Sequence, residues 1–182
     1  MHRIACFFCF LMCLSGTLLC SCSTDTHYDS MMTRVTIENL PESPYHAAAV
    51  STLHKITFDR DVASLKSMVL DNAWLSIDVG DADEDRLRII KAASVILLDD
   101  RDGTEVPWLT MIENLRRRNE ARFLDVNGDS PKAYVHDGQL TIRIDYELDP
   151  YLVLEYRQTY CRDKDLCPLE LLLSMTFEMV DE

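Results

Sequence analysis

The feature that most constrains the fold is an alternation of apolar and polar side chains in the C-terminal third of the chain. In Leu169–Met179 every second residue is apolar, and Leu140–Glu147 has the same pattern. A period of two gathers the apolar side chains on one face of a β-strand, whereas a helix would spread them around its axis. Both segments therefore predict strands with one face in a hydrophobic core.

The same alternation recurs in shorter segments along the chain. Further strands are predicted at Val35–Ile37, Ile56–Phe58, Ala73–Val79, Leu87–Leu98, Pro107–Met111 and Tyr151–Tyr160. Helices are predicted at Val62–Val69 and at Thr110–Ala121, where Thr110 and Glu113 have the spacing of a capping box. Because strands and helices do not alternate regularly, the expected fold is mainly β. It is an antiparallel β-sandwich of about seven or eight strands with one or two short helices.

The seven cysteines are distributed unequally along the chain. Five of them lie near the N-terminus, at Cys6, Cys9, Cys13, Cys20 and Cys22. The other two, Cys161 and Cys167, flank a polar loop between two strand-like segments. In an oxidising compartment these two are expected to form a disulfide that pins the loop and fixes the register of a hairpin. Their spacing fits neither a zinc knuckle nor a Cys-x-x-Cys redox motif.

Residues 1–21 have the layout of a signal peptide. Arg3 provides a basic start, and the apolar run Ile4–Leu19 that follows is shorter than the ~20 residues needed to span a bilayer comfortably. The next residues, Leu19-Cys20-Ser21-Cys22, resemble the lipobox of bacterial lipoproteins. This resemblance implies cleavage before Cys22 and lipidation of Cys22. A retained transmembrane helix, or a secretory signal cleaved near Ser21 or Ser23, are the alternatives.

The resemblance also implies a location and a domain plan. A lipidated Cys22 would anchor the protein to a membrane of the bacterial cell envelope, and Ser23 in the next position favours the outer membrane by the family's sorting rule. Polar residues 22–32 predict a lipidated tether, and residues 33–182 predict a single β-sandwich domain. Within that domain, Leu148-Asp149-Pro150-Tyr151-Leu152 resembles a segment of uncharacterised single-domain β-sandwich lipoproteins, which implies a fold and no activity.

The charge of the chain limits its partners. It carries 18 Lys and Arg against 31 Asp and Glu, a formal net charge of −13. Such a field repels nucleic acid and favours cationic partners. The basic cluster Arg116–Arg118, with Arg122, is too small to predict a nucleic-acid interface on so acidic a protein. The sequence therefore predicts a membrane contact through the acyl anchor, a cationic protein as a candidate partner, and no nucleic acid.

Acidic loops are the only candidates for a metal site. Asp125, Asn127 and Asp129 alternate like the start of a calcium-binding loop, but Ser130 stands where such a loop needs glycine. A type I′ turn at Asn127-Gly128 explains the same residues without a metal. The stretch Asp78–Asp85 is interpreted as a solvated turn, and Asp99–Gly103 as a hairpin connection. No cofactor is predicted, with calcium as the alternative.

Catalytic motifs are absent from the sequence. It contains no Gly-x-Ser-x-Gly elbow, no His-Glu-x-x-His pair and no glycine-rich phosphate loop, so no catalytic residue is assigned and the protein is not expected to be an enzyme. Five aromatic residues are candidates for either core packing or a binding patch, namely Trp74, Trp108, Tyr151, Tyr156 and Tyr160. The expected function is non-catalytic binding or scaffolding at the cell envelope. The alternatives are an acidic inhibitor or immunity protein against a cationic envelope enzyme, and a calcium-dependent surface module.

Overall fold

One antiparallel sheet dominates the computed structural model, which describes residues 25–42, 49–77, 86–112, 120–128, 130–162 and 164–182. The strands are β1 (Thr26–Ile37), β2 (Ala49–Thr57), β3 (Leu65–Ile77), β4 (Ile90–Leu98), β5 (Glu105–Met111), β6 (Glu120–Asp125), β7 (Val135–His136), β8 (Gln139–Leu148) and β9 (Leu169–Asp181). The α-helix α1 spans Pro150–Tyr160, and 3-10 turns span Val62–Ser64, Arg86–Ile89 and Pro131–Tyr134.

The sheet curls around until its two edges approach each other. The strand order is β1-β9-β3-β6-β5-β4-β8-β2, with the short β7 paired to β8. Cα atoms of β1 and β2 come within 8 Å, although no backbone ladder joins these strands in the described part of the chain. The predicted mainly β, antiparallel class is confirmed, but the sandwich is wrong, because the fold is one nearly closed sheet. Alternation shows that a strand buries one face and does not show what covers it.

Extra residues in three strands help the sheet to bend. Register shifts leave Lys66 and Asp71 of β3, Lys91 of β4 and Trp108 of β5 without a partner in the adjacent ladder. Such bulges bend a strand and increase its twist. The three charged residues are exposed, whereas Trp108 is fully buried beside the equally buried Leu109. The bulge in β5 therefore turns an additional large side chain into the core.

The core fills the space enclosed by the sheet. The alternate residues of β9 predicted to face inward are all buried, namely Leu169, Leu171, Leu173, Met175, Phe177 and Met179. The Phe177 ring stacks on Trp108 with 6.3 Å between centroids and meets the edge of Phe58 at 5.5 Å. Since β3 and β6 lie between β9 and β5 in the sheet order, the contact between Phe177 and Trp108 crosses the interior.

Helix α1 replaces the strand predicted at Tyr151–Tyr160. Asp149 caps its N-terminus, because the Asp149 side chain accepts hydrogen bonds from the backbone N–H groups of Tyr151 and Leu152. Pro150 follows at the first helical position, where its missing N–H has no cost. The Asp-Pro pair was therefore a stronger signal than the short apolar alternation after it.

Both predicted helices are wrong where the structure describes them. In Val62–Val69 only Val62–Ser64 is helical, as a 3-10 turn capped by Asp61, and β3 begins at Leu65. In Thr110–Ala121 the two ends belong to β5 and β6, and residues 113–119 lie outside the described residues. The strand predicted at Leu87–Leu98 begins at Ile90, after a 3-10 turn.

The predicted tether over residues 22–32 is largely part of the sheet. Strand β1 begins at Thr26 and pairs with β9 along its whole length, from Thr26 opposite Val180 to Ile37 opposite Leu169. The segment has no run of inward apolar residues, which is why it resembles a linker in sequence. The backbone pairing of this segment with β9, whose inward side chains are buried, places it in the folded domain.

Candidate functional site

The predicted disulfide between Cys161 and Cys167 is confirmed, but it does not close a hairpin. Both cysteines are buried, with their Cα atoms 5.4 Å apart. Cys161 is the C-cap of α1 and Cys167 lies just before β9, so the bond ties the helix to the beginning of β9. The backbone N–H of Leu40 donates to the Cys167 carbonyl at 2.9 Å, and the Arg157 guanidinium donates to the Leu40 carbonyl at 2.5 Å.

The calcium candidates Asp125 and Asn127 form a turn stabilised by their own hydrogen bonds. Asp125 Oδ1 accepts the N–H groups of Asn127 at 3.0 Å and Gly128 at 2.7 Å, and Asn127 Nδ2 donates to the Pro107 carbonyl at 2.7 Å. Gly128 has a φ of 66° while Asn127 has no positive φ, so the predicted type I′ turn is wrong. Across the described ranges, no group of three or more His, Cys, Asp or Glu side chains is arranged to hold a metal ion.

Several predicted positions lie outside the described residues. They are the lipidation candidate Cys22, the third calcium candidate Asp129, the whole acidic stretch Asp78–Asp85 and the cluster Arg116–Arg118. The fourth arginine of that cluster, Arg122, is described and lies on the outer face of β6. Its guanidinium carbon is 5.7 Å from the centre of the Trp74 ring, within reach of a cation–π contact.

A charged network surrounds the turn between β4 and β5. The buried Asp99 carboxylate accepts two hydrogen bonds from the Arg101 guanidinium, at 3.0 and 2.7 Å, and a third contact from His136 Nε2 at 3.1 Å. The hydrogen bonds from Arg101 hold the pKa of Asp99 well below its usual range. The predicted hairpin connection is confirmed. His136 was missed as its partner, because it lies 37 residues away in sequence.

Ion pairs continue along the outer face of β8. Arg143 donates to Glu105 at 2.5 Å and to Asp145 at 3.0 Å, and these carboxylates raise the pKa of the Arg143 guanidinium further. Two residues along, Glu147 accepts from Lys91 at 2.5 Å. These charges pair within β8 and with residues of β4 and β5, so this face is a salt-bridged surface with little unpaired charge to attract a ligand.

Polar side chains lie on the inner face of edge strand β2 and its neighbour. His54 Nε2 is 2.9 Å from Thr52 Oγ1, and partial burial lowers the pKa of His54. The adjacent Tyr146 of β8 is 2% exposed, and its hydroxyl has no hydrogen-bond partner among the described residues. Burial raises the pKa of Tyr146 to about 12, an effect that the neighbouring Thr52 hydroxyl partly opposes.

The outer faces of the two edge strands form the candidate functional surface. We call it the edge strip, the outward positions of β1 and β2: Thr26, Tyr28, Ser30, Met32, Arg34, Thr36, Ala49, Ser51, Leu53, Lys55 and Thr57. It contains no carboxylate, although the chain has 31. Met32, Leu53 and Tyr28 are 68%, 67% and 63% exposed. Sequence reasoning missed the strip because residues 26–32 were interpreted as a tether.

The aromatic residues predicted to form either a core or a patch are divided between these roles. Trp108 is buried in the core, Trp74 is half-buried beneath Arg122, and Tyr151 on α1 is 77% exposed. Tyr156 and Tyr160 lie on α1 with their ring centroids 4.8 Å apart. These residues are therefore divided between the core, β3 and α1, and do not form one binding patch.

Comparisons with protein-family models, curated proteins and solved structures gave no match to this chain. Within the part of the chain that the structure describes, no helix is long and apolar enough to cross a membrane. The features that bear on function are therefore the chain's own: a disulfide, a paired ionic network, and an edge strip with exposed apolar side chains.

Proposed function

We propose that this protein is a lipid-anchored, non-catalytic protein of the bacterial cell envelope that binds or scaffolds a partner. The observation that carries the proposal is the buried Cys161–Cys167 disulfide. Structural disulfides persist in oxidising compartments outside the cytoplasm. That environment agrees with the signal-peptide layout of residues 1–21 and with the lipobox-like residues that end at Cys22.

A binding role is supported by how the polar groups of the domain are used. Both His–Asp pairs in the described residues have an arginine near the carboxylate: Asp99, paired with His136, accepts from Arg101, and Asp181, paired with His27, lies 3.9 Å from Arg60. The charges of the β8 outer face pair with one another. Large side chains fill the interior, as in a packed structural domain. These features favour a rigid frame that presents a surface.

The anchor is tested by following lipid and membrane association in a bacterial host. Wild type should incorporate labelled palmitate and sediment with membranes, whereas Cys22→Ser should be unlabelled. Cys20→Ser is the matched control, because serine is common at that lipobox position and labelling should persist. Equal labelling of wild type and Cys22→Ser, or an unlabelled wild type found in the soluble fraction, would refute the anchor.

The net charge of −13 supports one second candidate, an inhibitor of a cationic envelope enzyme. Attraction between exposed charges is screened over about 8 Å at physiological salt, so such binding should weaken steeply as salt is added. Binding to a basic lysozyme-like enzyme, measured by calorimetry from low to high salt, tests this candidate. No binding at low salt would remove it and leave the scaffolding role.

A further inference from the structure

The turn that follows β6 contains the pair Asn127-Gly128, a sequence prone to spontaneous deamidation. Asparagine is one of the chemically labile residues of proteins. The backbone nitrogen of the next residue can attack the carbon of the asparagine side-chain amide, and a glycine in that position has no side chain to hinder the attack. No other asparagine of the chain precedes a glycine. The sequence therefore singles out Asn127 for this chemistry.

The surroundings of the pair leave room for the reaction. Asn127 and Gly128 are both exposed. Gly128 has a φ of 66°, and a Cβ built on it would have no heavy atom of the described residues within 4 Å beyond its chain neighbours. A five-membered ring formed between Asn127 and Gly128 would therefore meet no steric obstacle at Gly128, and solvent water can reach it.

Two hydrogen bonds engage the groups that would react. Asn127 Nδ2 donates to the Pro107 carbonyl at 2.7 Å, and the Gly128 N–H donates to Asp125 Oδ1 at 2.7 Å. The attack draws the Asn127 side chain towards the Gly128 nitrogen, so it breaks the bond to Pro107. The nitrogen must also lose its proton, which the negative charge of Asp125 opposes. The folded turn should therefore react mainly when it opens locally.

The Asn127 side chain also extends the pairing of β6 with β5. The Val126 N–H donates to the Trp108 carbonyl at 2.9 Å, and the Asn127 amide continues this pairing by one step to Pro107. An aspartate in its place would be an acceptor only, so it could not donate to the Pro107 carbonyl. Its charge would also lie close to Asp125, which accepts the backbone N–H of the same residue.

We propose that Asn127 is a deamidation site, that Asp125 and Pro107 restrain its reaction, and that the product loosens the segment after β6 from β5. The Gly128 nitrogen loses its proton and bonds to Asn127 Cγ, and the side-chain nitrogen leaves as ammonia. Water then opens the resulting cyclic imide at either carbonyl, which gives aspartate or isoaspartate. The net reaction consumes one water and releases one ammonia. The site does not depend on the anchor or on the binding role.

The restraint is tested by comparing the folded full-length chain with two variants at pH 8. Mass and chromatographic retention of the peptide that carries residue 127 detect both products. Asp125→Ala removes the acceptor of the Gly128 N–H and should convert several-fold faster than wild type. Asp102→Ala is the matched control, because Asp102 Oδ1 also accepts a backbone N–H, from Thr104 at 2.9 Å, in another exposed turn. This control should convert at the wild-type rate.

Wild type unfolded in urea provides the unrestrained rate, which should exceed the folded rate several-fold. This comparison does not require any variant to fold. Equal rates in folded and unfolded wild type, or in Asp125→Ala and wild type with both folded, would overturn the restraint. If residue 127 did not convert even in the unfolded chain, the site itself would be refuted.

The effect of the product is tested with Asn127→Asp by hydrogen exchange. The Val126 amide should exchange several-fold faster than in wild type, because the adjacent bond to Pro107 is lost. The Asp99 amide is the internal control, since it donates to the Thr104 carbonyl at 2.9 Å in the turn between β4 and β5 and should exchange as in wild type. Equal exchange of the Val126 amide in Asn127→Asp and wild type would overturn the proposed loosening.

Discussion

The interior strands β9 and β8 and the edge strands β1 and β2, which lie beside them, place polar and apolar side chains in opposite ways. On β9 the inward residues from Leu169 to Met179 are apolar and buried, and on β8 the outward residues Arg143, Asp145 and Glu147 are charged. On the edge strands, polar side chains occupy inward positions, at Asp29, Thr33, Thr52 and His54, and large apolar ones are exposed, at Tyr28, Met32 and Leu53. Where the edge strands β1 and β2 approach each other, the usual arrangement of apolar side chains inside and polar side chains outside is therefore partly reversed.

This contrast separates the part of the sheet that stabilises the fold from the part that is available for interaction. The interior strands bury the core, so their sequence is constrained by packing. An edge with inward polar groups pairs poorly with another strand, which protects an open sheet from aggregation. Because the edge strands bury less apolar surface than the interior strands, their outward residues can serve a surface function at small cost in stability.

The largest expected difference compares the same substitution in the two regions. Met175→Ala removes a side chain that is 1% exposed on β9 and should lower the free energy of unfolding by about 3 kcal/mol, from lost burial and an unfilled cavity. Met32→Ala, 68% exposed on β1, should change it by less than ~0.5 kcal/mol. Urea denaturation measures both. Equal losses would show that the outward side chains of edge strand β1 contribute to stability as much as the buried side chains of β9 do.

The disulfide should give the next largest effect, because it constrains the chain just before β9. Replacing Cys161 and Cys167 together by alanine should cost about 2 kcal/mol, the value expected when so short a loop is no longer closed in the unfolded chain. Thermal unfolding of wild type with and without reductant should reproduce the difference. The double variant serves as the control, since its midpoint should not respond to reductant. If reductant lowered the unfolding midpoint of that variant too, the effect of reductant on wild type could not be assigned to the disulfide.

How much of this contrast the sequence predicts depends on where the apolar residues point. Six alternating residues in β9 predicted both the strand and its buried face, because burial and period agree there. The first half of β1 has Asp29 and Thr33 inward and Met32 outward, so periodicity gave no strand. That segment is held by pairing with a strand about 150 residues later, a contact that local patterns do not encode.

The candidate site shows the same limit. The disulfide was predictable, since two cysteines remain after the N-terminal segment and the signal-peptide layout predicts an oxidising compartment. Its structural role was not, because the Asp149-Pro150 signal for α1 was overlooked. The edge strip required knowing that β1 and β2 are the two edges of one sheet, which follows from strand order and not from either strand alone.

Tyr146 tests whether the polar groups beneath β2 stabilise the fold. Tyr146→Phe removes a buried hydroxyl that has no partner in the described residues, so we expect a gain of about 1 kcal/mol at neutral pH. In the wild type, the folded-state pKa of about 12 is above the value near 10 of an unfolded tyrosine. The stability from the neutral hydroxyl is therefore complete below pH ~10 and is lost as the pH rises towards 12.

The measurement is chemical denaturation at pH 7 and along a series from pH 9 to 12. The difference between Tyr146→Phe and wild type should widen at alkaline pH. Tyr151→Phe, on an exposed ring of α1, is the matched control and should follow wild type at every pH. A loss of stability in Tyr146→Phe at pH 7 would mean that the hydroxyl is hydrogen-bonded in solution. The polar groups on the inner face of β2 would then stabilise the fold.

The smallest expected effect is a pH dependence from His54, on the same inner face. Burial lowers the pKa of His54 below 6.5, so the unfolded chain binds a proton at a higher pH than the folded one does. Its contribution to stability is therefore complete above pH ~6.5 and is lost as the pH falls through the folded-state pKa. His54→Gln should reduce the fall in the urea midpoint between pH 7.5 and pH 5 by a small amount, because the side chain is only partly buried. Leu53→Gln, the outward neighbour, should leave that fall unchanged. If His54→Gln and Leu53→Gln had the same pH profile, His54 would be solvated in the folded protein. The polar side chains on the inner face of β2 would then have no effect on stability at this position.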